Sequence, residues 1–120
     1  MPRPEQFKTP ELYTCTLAHE LTHWTGGKAR LNRSAVFDAK FETRKESYAF
    51  EELVAELGSA FLMAEFGMAS ESFQHTEYLK SWIKALKDDK RLIFTASRHA
   101  QDAMTFIRSE LLEEGEELAA

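Results

Sequence analysis

The stretch that most constrains the fold runs from Tyr48 to Phe66 and reads YAFEELVAELGSAFLMAEF. It contains no proline and is rich in alanine, leucine and glutamate, which favour the α-helix. Ser47 can act as its N-cap and Gly67 can end it, so we predict one long helix here. A chain of 120 residues is large enough for one hydrophobic core, and we expect residues 1–120 to form a single domain.

A second helix is predicted near the start of the chain. The tripeptide TPE at 9–11 supplies an N-cap, a proline at the first helical position and an early acid. The helix should therefore begin near Pro10 and run to about Thr25. Gly26-Gly27 follows directly and predicts a left-handed exit from the helix.

The remaining segments predict two more helices and little or no sheet. Residues 28–46 have poor periodicity and dense charge, which predicts a long irregular connection. Apolar residues on one face predict an amphipathic helix over 78–87. A fourth helix is indicated by apolar or small residues at three- and four-residue intervals, namely Ile93, Ser97, Ala100, Met104, Ile107 and Leu111. The acidic tail at 112–120 should fray. The fold class is therefore mainly α, with about four helices.

Charge and composition exclude several function classes. The net charge is −5 and the pI about 5.4, which disfavours direct binding of nucleic acid or an anionic membrane, because both depend on clustered lysine and arginine. Cys15 is the only cysteine, and the first residues lack the apolar core of a signal peptide. No apolar run approaches the roughly 20 residues that span a bilayer. We expect a cytoplasmic protein without a membrane segment.

The motif His19-Glu20-Leu21-Thr22-His23 lies within the first helix. Residues four apart on a helix differ by about 40° in projection, so both imidazoles can reach one metal ion. Glu20 lies about 100° from His19, which places it beside the metal as a base that deprotonates water. A shuffled chain of this composition would contain the pattern about 2% of the time. Two chance histidines on a core helix are thus the competing interpretation.

A third protein ligand is needed to support the metal interpretation, since catalytic zinc usually has three. In the long helix, Glu52 and Glu56 share a stripe with Ser59 and Met63, away from the main apolar face. Two buried glutamates one turn apart are costly without a cation, and a metal would supply it. The alternative is a solvated helix face. A separate stripe is expected to face solvent and comprises Glu51, Gly58 and Glu65. In the first helix, a face opposite the histidines is expected to be buried as well and comprises Tyr13, Leu17, Leu21 and Trp24.

The motifs HELTHWTGG, RLNR and YAFEELVAELGSAFLMAEFG, followed by YLKSWIKALKDDKRLIFTASRHAQDA, give the chain a family resemblance. It resembles the zincin-like metallopeptidase domain of ArdC-type plasmid antirestriction proteins and of conjugative-primase relatives. The likeness runs from about Met1 to Ile107. It implies one divalent metal and a peptidase-like site.

The spacing of Glu52 and Glu56 resembles that of gluzincins, in which a glutamate ligand precedes an orienting acid by four residues. This resemblance implies that His19, His23 and Glu52 bind zinc and that Glu56 orients a histidine. Manganese is a possible substitute, because this donor set does not select zinc uniquely. The expected function is zinc-dependent peptide hydrolysis, with Glu20 as base and a peptide or protein as substrate. Two alternatives stay open: a catalytically silent metal-binding module that inhibits restriction enzymes or other partners by association, and a metal-free helical bundle.

Several other residues are weaker candidates. His75 and Tyr78 could donate a hydrogen bond to an oxyanion if they face the metal, although surface positions are the commoner fate of such residues. Cys15 and the two tryptophans are expected in the core. The segment KARLNR at 28–33 is expected to be a solvated loop.

Overall fold

A computed structural model describes residues 1–67 and 79–119, with side chains up to Leu111 apart from those of 79–81. In these ranges the chain is mainly α, as predicted, and no strand is present. A short 3-10 turn is followed by five helices, which are α1 (Pro10–Thr25), α2 (Arg33–Lys40), α3 (Arg44–Glu65), α4 (Leu79–Asp88) and α5 (Arg91–Ala119). None of the helices in this part of the chain is both long and apolar enough to cross a membrane. His75 and Tyr78 lie outside the described residues.

Helix α1 has the predicted bounds, but its exit differs from the prediction. The hydroxyl of Thr9 accepts a hydrogen bond from the backbone N–H of Leu12 at 3.0 Å, which is the expected N-cap. Gly26, however, has a φ of −79° and stays right-handed, so the predicted left-handed exit is wrong. Gly26 is instead needed for space. A Cβ atom there would lie 2.7 Å from Nη2 of Arg33.

The connection predicted to be irregular contains helix α2, so that prediction is wrong. Asn32 adopts a left-handed conformation with φ 54°, which asparagine tolerates better than most residues, and α2 starts directly after it. Helix α3 then begins at Arg44 instead of after Ser47. Its N-cap is Thr43, whose hydroxyl accepts from the backbone N–H of Glu46 at 3.1 Å. Ser47 is buried and donates to Asp38 Oδ1 at 2.7 Å.

Helix α3 lies at the centre of the molecule and packs against each of the other four helices. Its main apolar face is buried as predicted at Phe50, Leu53 and Val54. The stripe carrying Glu52 and Glu56 is buried as well, so α3 faces protein on two sides. The hydrophobic core joins α3 to Phe37 of α2, Trp82 of α4 and the alanine-rich face of α5. Helix α3 also packs against α1, the helix that carries His19 and His23.

The outer face of α1 is less buried than predicted. Leu21 is 36% exposed and Trp24 is 45% exposed. Trp24 is therefore not a core residue. Its ring meets the edge of Phe106 at 5.8 Å between centroids, and the guanidinium of Arg30 lies 4.4 Å from its centroid. The expectation that α1 is buried on two sides is wrong for Leu21 and Trp24, because α5 covers this face only in part, through the contact of Phe106 with Trp24.

Helices α4 and α5 complete the core near the predicted positions. Trp82 is buried as expected, and its indole N–H donates to the carbonyl of Ala49 at 2.6 Å. Ala100, Met104 and Ile107 are buried on α5, whereas Leu111 is 56% exposed. The backbone of α5 continues as a helix to Ala119. Fraying of the tail at 112–120 stays a prediction, as does the assignment of the whole chain to one domain.

Candidate metal centre

Two histidines of α1 and one glutamate of α3 converge where these helices pack. The Nε2 atoms of His19 and His23 lie 3.1 Å apart. Glu52 directs its carboxylate between them, with Oε2 at 3.2 Å from His19 Nε2 and Oε1 at 2.9 Å from His23 Nε2. One ligand atom from each residue lies within 4.8 Å of the others. His19 and Glu52 are buried, and His23 is partly exposed.

The separations between these donor atoms fit a single divalent ion. Bonds of 2.0–2.1 Å to a tetrahedral ion place neighbouring ligand atoms about 3.3 Å apart. The two Nε2 atoms are 3.1 Å apart, close to that value, and each of them has one of the two oxygens of Glu52 within 3.2 Å. Two imidazoles and one carboxylate also form a known donor set of catalytic zinc sites. The three residues are therefore suited to hold one metal ion.

The glutamate one turn further along α3 lies behind the first histidine. Oε1 of Glu56 is 3.1 Å from Nδ1 of His19, the ring nitrogen that faces away from the cluster. Glu56 is only 8% exposed. A carboxylate on the outer nitrogen of a metal-binding histidine orients the ring and increases its basicity. This placement is compatible with the orienting role inferred for Glu56.

Glu51 occupies the equivalent position at the second histidine, and the sequence analysis missed it. Its Oε2 atom is 2.7 Å from Nδ1 of His23. Glu51 was expected on a solvent-facing stripe with Gly58 and Glu65, and for two of these residues the expectation is wrong. Gly58 is buried against Thr22, and the side chain of Glu51 is 19% exposed. The error arises because helical periodicity groups residues by face without showing which neighbour covers that face.

A buried arginine holds Glu51. Arg33 is 1% exposed, and its Nε and Nη2 atoms donate to Oε1 and Oε2 of Glu51 at 2.8 and 3.1 Å. The same guanidinium donates to Thr25 Oγ1 at 2.8 Å and to the carbonyl of Thr22 at 2.6 Å. The expectation of a solvated KARLNR loop is therefore wrong for its last residue. The sequence feature that could have indicated this burial is Gly26-Gly27, because two residues without side chains leave room for another side chain.

The carboxylates favour protonated histidines in the absence of metal. Burial lowers the pKa of His19, but the neighbouring Glu52 and Glu56 outweigh it and raise that pKa to about 8. Burial also lowers the pKa of His23, and hydrogen bonds with Glu51 and Glu52 raise it to about 9. Without metal, the cluster thus holds protons where an ion would bind.

The glutamate carboxylates shift in the opposite direction. Burial alone would raise the pKa of Glu52, but hydrogen bonds from His19 and His23 move it well below its ordinary value. For Glu51, burial is likewise outweighed by hydrogen bonds from His23 and Arg33, which lower its pKa. Both carboxylates are therefore ionised at neutral pH. An ionised carboxylate is the form that binds a metal or accepts a hydrogen bond from a histidine ring N–H.

Two other sequence candidates can be located. Glu20 is exposed on α1, directly after His19. Cys15 is buried one turn before His19, and its Sγ lies 3.2 Å from Oγ of Ser59. It is a core residue as expected, outside the group of ligand atoms.

Comparison with known protein families supports the metal-site interpretation. A family model described as zincin-like metallopeptidase matches residues 1–99, which is most of the chain. The chain belongs to this zincin-like metallopeptidase family. The resemblance stated from the sequence is thereby confirmed, and the zincin-like domain includes the helices that carry His19, His23 and Glu52.

Solved structures similar to this zincin-like domain come from a plasmid antirestriction protein. The metal-free structure of antirestriction protein ArdC from plasmid R388 is 47% identical, with a TM-score of 0.75, and the match covers 90% of this chain and 38% of that one. The Mn(II)-bound structure of the same protein is 42% identical, with a TM-score of 0.68 and coverage of 91% and 38%.

Curated relatives of the domain are longer proteins. A DNA primase TraC of Escherichia coli is 40% identical over 107 residues, which are 89% of this chain and 10% of the primase. An uncharacterized protein, y4eC, of Sinorhizobium fredii is 34% identical over 111 residues, which are 92% of this chain and 35% of that protein. The chain thus spans between one tenth and about one third of these two relatives.

Proposed function

We propose that this domain is a single-metal peptidase of gluzincin type, in which His19, His23 and Glu52 hold the ion. The observation that carries the proposal is the convergence of the three ligand atoms at the contact between α1 and α3. The family match supports it, because it covers both helices. Zinc is the proposed ion. The Mn(II)-bound structure of a similar protein supports a divalent metal at this type of domain and makes manganese the first substitute to test.

The proposed chemistry divides between the ion and the protein. A divalent ion in such a site polarises a substrate carbonyl and makes a water molecule more acidic. Glu20 would accept the proton of the attacking water and then return it to the leaving amine. Its position supports this role, because Glu20 is exposed, adjacent to His19 and directed about 100° away from that ligand around the helix.

A polypeptide is the proposed substrate class. Similarity to an antirestriction protein extends the proposal to proteins of restriction systems as substrates or partners. The net charge of −5 supports protein over nucleic acid as the direct ligand of this domain. Similarity to a primase concerns only 10% of that protein's length. That this domain makes no nucleic-acid contact stays a prediction.

Metal content tests the first part of the proposal. Protein purified without added metal, or refilled with Zn²⁺ after chelation, should contain about one ion per chain, as one set of three ligands requires. Elemental analysis and zinc titration measure this directly. A stoichiometry far below one after zinc is added would contradict the proposed site and favour a metal-free bundle.

Replacing the proposed base tests the second part. Glu20→Gln removes the carboxylate and leaves every proposed ligand in place, so it should bind zinc normally and lower kcat for peptide cleavage by at least about 100-fold. Cleavage of a randomised peptide library, followed by mass spectrometry, measures this. Glu11→Gln is the matched control, because Glu11 is an exposed glutamate at the start of the same helix.

The same variants separate peptidase activity from the alternative function. Two results together would establish a binding module that opposes its partner by association. The metal-loaded wild-type domain would cleave no peptide, and Glu20→Gln would keep its antirestriction activity unchanged. One observation favours testing this alternative. Zincins usually hold an extended substrate along a β-strand, and the described residues contain no strand.

A further inference from the structure

The buried pair formed by Arg33 and Glu51 has no role in the chemistry described so far. Arg33 is among the least exposed of the described side chains, and it is the first residue of α2. Burying a guanidinium requires a paired charge and satisfied donors. Glu51 supplies the charge and accepts two hydrogen bonds, and Thr22 and Thr25 accept two more. The question is what this buried pair does.

Glu51 contacts the cluster through one atom of His23. A carboxylate only accepts hydrogen bonds when ionised, so the 2.7 Å contact places a proton on Nδ1 of His23. Neutral imidazole then carries its lone pair on Nε2, the nitrogen that faces His19 and Glu52. When an ion displaces the proton on Nε2, the contact keeps the other proton on Nδ1, which is the tautomer and the ring orientation that a metal on Nε2 needs.

Arg33 fixes the carboxylate that makes this contact. Two parallel N–H···O bonds define the plane of the Glu51 carboxylate as well as its position. Lysine could supply the charge but not the two parallel bonds. Arg33 is itself anchored at the C-terminal end of α1, where helix carbonyls favour a cation, and Gly26 leaves space for it.

We propose that Arg33 and Glu51 form a positioning relay that sets the Nδ1–H tautomer of His23 and thereby presents its Nε2 atom to the metal. The relay matches Glu56 at His19, so each histidine has its own carboxylate. This inference rests on the proposed metal site. Arg33 acts only through Glu51, and neither residue touches the ion or the substrate.

Zinc titration of the wild type and five variants tests the relay. In competition with a chromophoric chelator, Glu51→Gln should weaken Zn²⁺ binding by about 10–100-fold, as loss of a carboxylate partner of a histidine ligand typically does. Arg33→Lys should weaken it in the same direction. The double variant should bind no more weakly than Glu51→Gln, because the arginine has no separate route to the metal. Glu46→Gln and Arg98→Lys, at exposed positions, are the controls and should bind like the wild type.

A purely structural role for Arg33 gives a different pattern. Arg33→Lys would then lower the melting temperature while zinc affinity stays within about twofold of the wild type, and the relay would be overturned. Full additivity in the double variant would also overturn it. If the wild type itself binds no zinc, the proposed metal site fails first, and the relay fails with it.

A second measurement uses only the wild-type protein, so it does not depend on the folding of a variant. In ¹⁵N-histidine-labelled, zinc-loaded wild-type protein, long-range ¹H–¹⁵N spectra report which ring nitrogen carries the proton. We expect His23 to be protonated on Nδ1 and bound to zinc through Nε2. Zinc on Nδ1 of His23 would overturn the relay even if the site binds the ion with the proposed stoichiometry.

Discussion

At the scale of single residues, three glutamates of α3 differ in the imidazole nitrogen that each one faces. Glu52 lies between the two Nε2 atoms, whereas Glu51 and Glu56 lie on the outer Nδ1 atoms of His23 and His19. Each position requires the negative charge for a different reason. The central carboxylate is placed to bind the ion, and the outer two are placed to orient the rings that bind it.

Alanine substitutions rank the two glutamates that the sequence analysis singled out. Glu52→Ala removes a proposed ligand and should nearly abolish zinc binding, whereas Glu56→Ala should weaken it by about 10–100-fold. Zinc titration measures both. Glu65→Ala is the control, since Glu65 is an exposed glutamate on the same helix. Retained binding in Glu52→Ala with loss in Glu56→Ala would reverse the two roles.

At the scale of elements, the approach of α1 to α3 determines whether the cluster can form. Gly58 makes this approach possible, because a Cβ atom there would lie 2.6 Å from both Oγ1 and Cγ2 of Thr22. Thr22 is fully buried, and its hydroxyl donates to the carbonyl of Ala18, so it has little room to move. The same two helices carry the two histidines and Glu52.

Gly58→Ala should therefore destabilise the protein. Alanine favours the helix over glycine by about 1 kcal/mol, but overpacking a rigid β-branched neighbour costs about 1–3 kcal/mol, and we expect the clash to dominate. Chemical denaturation measures the change in the free energy of unfolding. Zinc affinity should fall too, since the helices are pushed apart.

The rescue variant is Gly58→Ala combined with Thr22→Ala, which removes both clashing atoms. It should be more stable than the sum of the two single changes predicts. Simple additivity, or a Gly58→Ala protein more stable than the wild type, would show that the helices are not in close contact at this point.

At the scale of the whole molecule, the buried cluster links stability to pH and to metal. The folded-state pKa values of His19 and His23 are raised from 6.5 to about 8 and about 9. Their contribution to stability is therefore fully present below about pH 6.5 and is lost as the pH rises through 8 and 9. The pKa of Glu52 is lowered from 4.5, so its contribution is present above that pH and is lost in acid.

The melting temperature of the metal-free protein should thus be highest between about pH 4.5 and 6.5 and fall towards pH 9. Zinc affinity should change in the opposite direction, because the ion must displace the histidine protons, and it should increase from pH 6 to 9. Calorimetry with and without saturating zinc measures both. A stabilisation by zinc that shrinks between pH 6 and 8 would contradict this account.

Some features of this protein are determined by local sequence. The cap at Thr9, the length of α1 and the common face of His19 and His23 follow from neighbouring residues and from helical geometry. The common stripe of Glu52 and Glu56 on α3 was predicted in the same way. Such features depend on spacing within one element, so the sequence alone is sufficient to predict them.

Other features were decided only by the packing of elements that are distant in sequence. Glu51 contacts His23, and Arg33 is buried, because α1 crosses α3 on that side and the connection folds back over the end of α1. Trp24 is partly exposed because α5 covers the outer face of α1 only in part. Periodicity identifies the faces of a helix, but a face becomes buried, paired or solvated according to the element that packs on it. That choice belongs to the tertiary structure.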